Sequence, residues 1–260
     1  MSQERKSKRQ ERRTKIAQQE RRNRLVMIGL VILGAVLLVF AVVWPQLRPI
    51  AEVVAVDTGT YPDAKDNSMG DPNAPIKIEE FADFQCPFCD RFHKETEPLL
   101  KQYYIDTGKV HFAFRSMGNF VSDNIAKAQG TQATTESQDA ALAAYCAGDQ
   151  NKFWEMHAYL FANALGEDAG SFTDKRLAAI AEKAGLNTDQ FNSCYSSGKF
   201  RDRVQQDAQD GQAANVTGTP GFIITYTVNG ETKTDRIDGA EPFSTFQQKL
   251  ETALHEIGTK

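Results

Sequence analysis

Cys86-Pro87-Phe88-Cys89 sits between residues 76–84, which alternate apolar and polar, and a helix-like stretch that begins at Pro87. That junction constrains the fold strongly, because a strand must run almost directly into a helix with a cysteine at its first turn. Strand–CxxC–helix is the arrangement that makes a cysteine pair a redox centre. The helix N-terminus offers partial positive charge and unpaired N–H groups, which favour a thiolate on the first cysteine. Cys86 is therefore the candidate nucleophile, expected to be exposed and low in pKa. Cys89, one turn deeper, is the candidate resolving thiol, free to be buried and protonated. Zinc is the competing use of such a pair. Cys86, Cys89 and His93 offer three ligands, but no second CxxC or paired histidine follows, so no metal is expected.

Residues 25–44 contain no charged side chain, and none that hydrogen-bonds before the Trp44 indole. At about 1.5 Å per residue, such a run spans roughly 30 Å, the hydrocarbon thickness of a bilayer. Trp44 suits the far interface, and Pro45 is expected to end the helix. Residues 1–24 carry ten Lys or Arg against three Glu, a net +7. The positive-inside rule keeps this basic tail in the cytoplasm and exports the remainder. A cleaved signal peptide fits less well, since its apolar run is usually ~7–15 residues and Val53-Val54-Ala55 is a weak cleavage site. A single-pass signal anchor in the cell membrane is the expectation. The rest of the chain has 20 Lys or Arg against 31 Asp or Glu, a net −11. An acidic exported part has no general affinity for nucleic acid, and its four cysteines can persist as disulfides.

Residues 45–74 include Pro45, Pro49, Pro62 and Pro72 among Gly, Asp and Asn, and read as an extracytoplasmic linker. Residues 75–258 suffice for one domain with its own core. Within them, 87 to about 107 looks helical, with Pro98 as a kink and Gly108 as the stop. Residues 110–117 are strand-like. From 122 to 214 the chain reads as a cluster of several helices, with N-caps offered near Thr173 and Asn187. Residues 221–228 are strand-like, Asn229-Gly230 is a two-residue hairpin turn, and 232–237 pair back. Residues 242–257 close as an amphipathic helix. The order β-α-β, helices, β-β-α predicts an α/β fold with a helical insertion.

This order resembles the redox members of the thioredoxin fold, with CxxC opening a helix and Thr219-Pro220 lying just before the hairpin. The insertion narrows the resemblance to the DsbA-like thiol–disulfide oxidoreductases. Phe84-Gln85-Cys86-Pro87-Phe88-Cys89 is similar to that group's active-site run, and Asn151-Lys152-Phe153-Trp154-Glu155-Met156-His157 resembles a segment of its insertion. The resemblance covers roughly residues 70–258. It implies a thioredoxin fold with an inserted helical subdomain, preceded here by one transmembrane helix. It also implies a cis peptide before Pro220, facing the cysteines. A cis X–Pro turn exposes the preceding backbone, so Thr219 would pair with an extended substrate beside Cys86 and Phe88. An acidic proton-transfer residue is implied at Glu80, with Asp83 as a competitor and a solvent-facing strand carboxylate as the plainer alternative. Finally, the resemblance suggests a structural disulfide between Cys146 and Cys194. Closing that loop would stabilise the fold by roughly 4 kcal/mol in the chain-entropy model.

The expected activity is that of a membrane-tethered oxidase donating its Cys86–Cys89 disulfide to exported, cysteine-containing proteins. It needs no cofactor beyond that disulfide. A membrane reoxidase of DsbB or VKOR type is the implied partner, and a monomer the implied state. A disulfide isomerase or reductase of the same fold is the alternative. Pro87-Phe88 lacks the histidine of Pro-His oxidases, and Thr219 also occurs in isomerase-like members. A non-catalytic peptide-binding chaperone module is a further reading, against which the presence of both cysteines argues. His111, His157, His255 and the aromatics Phe153, Trp154, Tyr159 and Phe161 read as packing residues.

Overall fold

A computed structural model describes residues 2–47, 49–61 and 63–258, with the side chains of 2–14, 16–18 and 45–47 excepted; Pro62 of the expected linker thus lies outside the described residues. The chain divides into two units, Met1–Ile50 and Ala51–Lys260.

The first unit is built on one helix, α1 (Ser2–Leu47). Within its stretch Gln19–Trp44, an 18-residue window has a mean hydropathy of 3.2, and the stretch is long and apolar enough to cross a membrane. The helix exceeds the expected span at both ends. The Lys, Arg, Gln and Glu of residues 2–24 are good helix formers, so the basic tail extends the helix instead of preceding it. Pro45 does not end it, because a proline in the last turn deletes a single N–H bond where helices fray in any case.

The second unit is organised on a five-stranded sheet in the order β1-β3-β2-β4-β5. These are β1 (Ser68–Met69), β2 (Ile76–Ala82), β3 (Val110–Ser116), β4 (Gly221–Val228) and β5 (Glu231–Asp238). β2 and β3 are parallel, from Ile76 opposite Val110 to Ala82 opposite Ser116, and so require a crossover. α2 (Pro87–Glu95), α3 (Glu97–Leu100) and a π-helical turn (Lys101–Ile105) supply it. The helix expected over 87–107 breaks at Thr96, ahead of the expected kink, because Pro98 has no N–H for the carbonyl of residue 94. β4 runs antiparallel to both β2 and β5. Asn229 and Gly230 have φ of 53° and 86°, the left-handed pair that a tight two-residue hairpin demands.

Side chains of β2 alternate between two cores. Ile76, Ile78 and Ala82 join the main core with Phe92 and Phe246, whereas Phe81 packs with Met117 and Val216. Glu80 falls on the main-core face. The insertion runs from α4 (Phe120–Gln129) through α5 (Glu136–Gly148), α6 (Phe153–Ala162), α7 (Asp174–Lys183) and α8 (Thr188–Ser197) to α9 (Arg201–Ala213). Asn187 caps α8, its Oδ1 accepting from Gln190 N at 3.0 Å, while Thr173 makes no side-chain cap bond. Cys146 of α5 and Cys194 of α8 are joined as a disulfide, with their Cα atoms 5.8 Å apart. Arg115 of β3 ties α9 to the sheet, donating to Asp207 (2.5 Å) and Glu79 (2.6 Å) and pairing with Asp210. α10 (Phe243–Gly258) closes the fold through Phe246, Leu250 and Ala253.

The linker reading of 45–74 fails from residue 51 onward. Val53, Val56, Tyr61 and Ala64 pack against the core. Val54 exchanges both backbone hydrogen bonds with the Asn163 side chain, at 2.7 and 3.1 Å, and the buried Arg176 donates to Ala51 O at 2.6 Å. β1 then pairs with β3 at the sheet edge. Proline and glycine prevent regular structure here, but scattered apolar side chains still bury wherever a groove receives them.

Candidate active site

Cys86 is the N-cap of α2, and Pro87 occupies the first turn, where its missing N–H leaves nothing unsatisfied. Both cysteines are free thiols. A hydrogen bond from the Cys89 thiol is the largest influence on Cys86, burial opposes it, and the Thr219 hydroxyl with the Cys89 and Phe88 amides adds to it. Together they bring the Cys86 thiol from an ordinary 9.0 down to about 6. Sγ of Cys86 also lies 3.3 Å from the Thr219 carbonyl oxygen. The protonated thiol alone can donate there, so this contact opposes ionisation; the donors outnumber it. Burial above all, then Cys86 and Glu80, pushes the Cys89 thiol well above its usual range. The pair is therefore asymmetric, one sulfur built to be an anion and the other built to hold its proton.

The Thr219–Pro220 peptide is cis and brings Thr219 against Cys86. Cys86 itself is only 5 % exposed, contrary to the expected exposure. Thr219 lies against its sulfur, and the cysteine borders a groove of about 330 Å³ that α4 lines on its other side. Phe88, Phe120, Val121, Ile125 and Ala128 make this groove largely apolar. Phe88 is 54 % exposed, with the Arg91 guanidinium 5.2 Å over its ring. Alkylation by iodoacetamide should rise through pH 6 and be near its plateau by pH 8, all of it at Cys86. A midpoint near 9 by mass-spectrometric labelling would remove the thiolate from this description.

Glu80 is 1 % exposed, between Phe114 and Phe222 on the neighbouring strands, so the solvent-facing alternative is wrong. Its Oε2 has no hydrogen-bond partner among the described residues. Burial, then Glu97 and Cys86, pushes its carboxyl well above the usual carboxylate range. Asp83, the competitor, is committed elsewhere, its two oxygens accepting from Gln85 N (2.9 Å) and Val121 N (3.0 Å). Burial raises Asp83 to about 6 against the opposing pull of those bonds.

The raised Glu80 carboxyl has a consequence for stability. The unfolded chain loses this proton first as pH rises, so Glu80 weakens the fold progressively above its unfolded pKa of ~4.3. Glu80→Leu should thus match or exceed the wild type at neutral pH, with the advantage growing from pH 4 to pH 8. Urea denaturation at both pH values reads this; an advantage that shrinks with pH would contradict a buried, proton-holding Glu80.

Gln85 carries no signal in the sequence, yet it organises the turn before Cys86. Its Nε2 donates to Ser122 Oγ (2.8 Å) and Ser137 Oγ (2.9 Å), and its Oε1 accepts from Asp168 N (2.6 Å). One side chain thereby ties the redox turn to α4, α5 and the loop before α7. His93, considered with the cysteines as a zinc ligand, engages Glu97 instead, at 2.9 Å.

The thioredoxin family model matches residues 63–240. The Na(+)/H(+) antiporter NhaA 1 of Salinispora arenicola is 29 % identical over 160 residues, covering 62 % of this chain and 22 % of that protein. The chain thus spans about a fifth of the length of the antiporters it matches. A Bacillus anthracis protein named probable disulfide bond formation protein D is 24 % identical over 204 residues, covering 78 % of this chain and 88 % of that one. The crystal structure of Wolbachia pipientis alpha-DsbA1 superposes with a TM-score of 0.60 at 23 % identity, covering 76 % of this chain and 94 % of that one. At that identity the superposition is a statement about fold.

Proposed function

The chain belongs to the thioredoxin family, and from that premise we propose that it is a DsbA-like thiol–disulfide oxidoreductase that works as an oxidase of exported proteins. The asymmetry of the two thiols carries this reading. A thiolate stabilised in the reduced protein makes the disulfide a stronger electron acceptor and Cys86 a better leaving group. A substrate thiolate attacks Cys86 Sγ of the Cys86–Cys89 disulfide and expels Cys89, which takes up a proton; Glu80 is the buried acid suited to supply it. A second substrate thiolate then attacks the substrate sulfur of the mixed disulfide and expels Cys86 as the thiolate. Two electrons have passed to the protein, and the substrate leaves with a disulfide.

The apolar groove beside Thr219 suits an unfolded segment, held by its main chain at Thr219 and by apolar side chains against Phe88 and Ile125. Phe88 favours the second reading, a reductase or isomerase, because its ring offers the thiolate no side-chain donor. In the proposed topology α1 is a signal anchor, with residues 1–24 cytoplasmic and the second unit extracytoplasmic. A DsbB- or VKOR-type membrane protein would restore the disulfide. No dissociable redox cofactor takes part, and the working unit is a monomer.

The oxidised full chain in detergent, mixed with a reduced unfolded protein, tests the direction. Substrate thiols should disappear in step with the appearance of Cys86 and Cys89 thiols. Faster reduction of a disulfide-bonded substrate by the reduced chain than oxidation of a dithiol by the oxidised one would favour the reductase.

A further inference from the structure

His93 of α2, Glu97 of α3 and His157 of α6 meet beside the redox helix, with one ligand atom of each within 4.8 Å of the other two. His93 Nδ1 lies 2.9 Å from Glu97 Oε2, and the two imidazoles stand edge to face with centroids 4.8 Å apart. His157 is fully buried, and neither of its ring nitrogens has a hydrogen-bond partner among the described residues. Its surroundings are aromatic, with Phe84, Phe114, Phe153, Trp154 and Phe161 all in ring contact. Burying two unpaired ring nitrogens in such a box is costly, and a phenyl ring would fill the same space without that cost. Packing therefore accounts for a ring at 157 and gives no reason for its nitrogens. An ion drawn to the one side on which ligand atoms gather does give one.

We infer that His93, Glu97 and His157 form a binding site for a first-row divalent ion of the zinc class. The donors are His93 Nδ1, one ring nitrogen of His157 and a Glu97 carboxylate oxygen, a mixed nitrogen–oxygen set of the kind zinc takes. The fourth position is open to water. Zinc–nitrogen bonds of about 2.0–2.1 Å place tetrahedral ligand atoms roughly 3.3 Å apart, so closure asks for side-chain rotation and no backbone change. The His93 side chain is 18 % exposed and supplies the way in. The ion would brace α2 and α3 against α6, fixing the redox helix to the insertion. The site uses neither Cys86 nor Cys89 and stands whether or not the oxidase reading does.

The full chain, untagged and in detergent, is first oxidised at Cys86–Cys89 so that neither thiol can ligate. It is then dialysed against Zn²⁺, and bound metal is counted by elemental mass spectrometry; Co²⁺ in parallel reports ligand type. The site predicts one equivalent of zinc per chain, a raised unfolding temperature, and a cobalt spectrum with tetrahedral d–d bands but no thiolate charge transfer. His157→Phe, which replaces ring with ring, and His93→Gln, on the other element, should each lose the zinc with their circular dichroism unchanged. Failure of the oxidised wild type to bind Zn²⁺, or binding that survives in the folded variants, overturns the inference. Should His157→Phe not fold, His93→Gln at its partly exposed position decides alone.

Discussion

Cys86→Ser is expected to reduce dithiol oxidation to the uncatalysed rate, while Cys89→Ser yields a protein that captures partners and cannot let them go. The two outcomes differ because the two sulfurs do. Cys86 holds the N-cap, the Thr219 contact and the groove, so every exchange passes through its sulfur. Serine in its place cannot form the disulfide at all. Without Cys89 the Cys86 thiolate still attacks a disulfide, but no thiol stands beside it to break the mixed disulfide. Nonreducing electrophoresis should show adducts in Cys89→Ser that dithiothreitol dissolves, and none in Cys86→Ser. Full cellular function in Cys86→Ser would remove the enzyme reading and leave a peptide-binding module.

Removing the Cys146–Cys194 bridge should produce a large loss of stability. The bridge spans 48 positions and joins α5 to α8. Its loss in a Cys146→Ala/Cys194→Ala chain should cost about 4 kcal/mol through the unfolded state, with a further penalty from truncating the buried Cys146. For a domain of this size that corresponds to a fall of roughly 8–16 °C in Tm. Urea titration of the double variant beside the wild type measures it. The redox pair is a separate cysteine pair at the N-cap of α2, so folded variant should retain its oxidase rate. A stability within 1 kcal/mol of the wild type would mean that α8 holds to α5 without the disulfide.

What could be read in the sequence was local. Cys86 on a strand-to-helix turn, the Asn229-Gly230 hairpin and the Asn187 cap each depend on residues within a few positions of one another. The cysteine pairing was implied by resemblance and reached across α5 and α8. What could not be read depends on placement. Gln85 becomes an organiser only when Ser122, Ser137 and Asp168 are folded around it. Residues 51–74 look like a tether until Asn163 and Arg176 are there to bind their backbone. Cys86 reads as exposed for the same reason, until Thr219 arrives from distant sequence against its sulfur. Glu80 stood equally well as buried acid or surface carboxylate, because strand alternation gives the face and not what packs upon it.

In the proposed direction, the Cys86–Cys89 pair draws electrons from substrates. The full chain in detergent should be equilibrated without oxygen in glutathione buffers at pH 7, quenched by thiol alkylation, and scored for the fraction of Cys86–Cys89 oxidised. The lowered Cys86 thiol and protonated Cys89 predict a potential between about −180 and −120 mV, the range of disulfide-donating proteins. A value near thioredoxin's, about −270 mV, would contradict the account and make the protein a reductant.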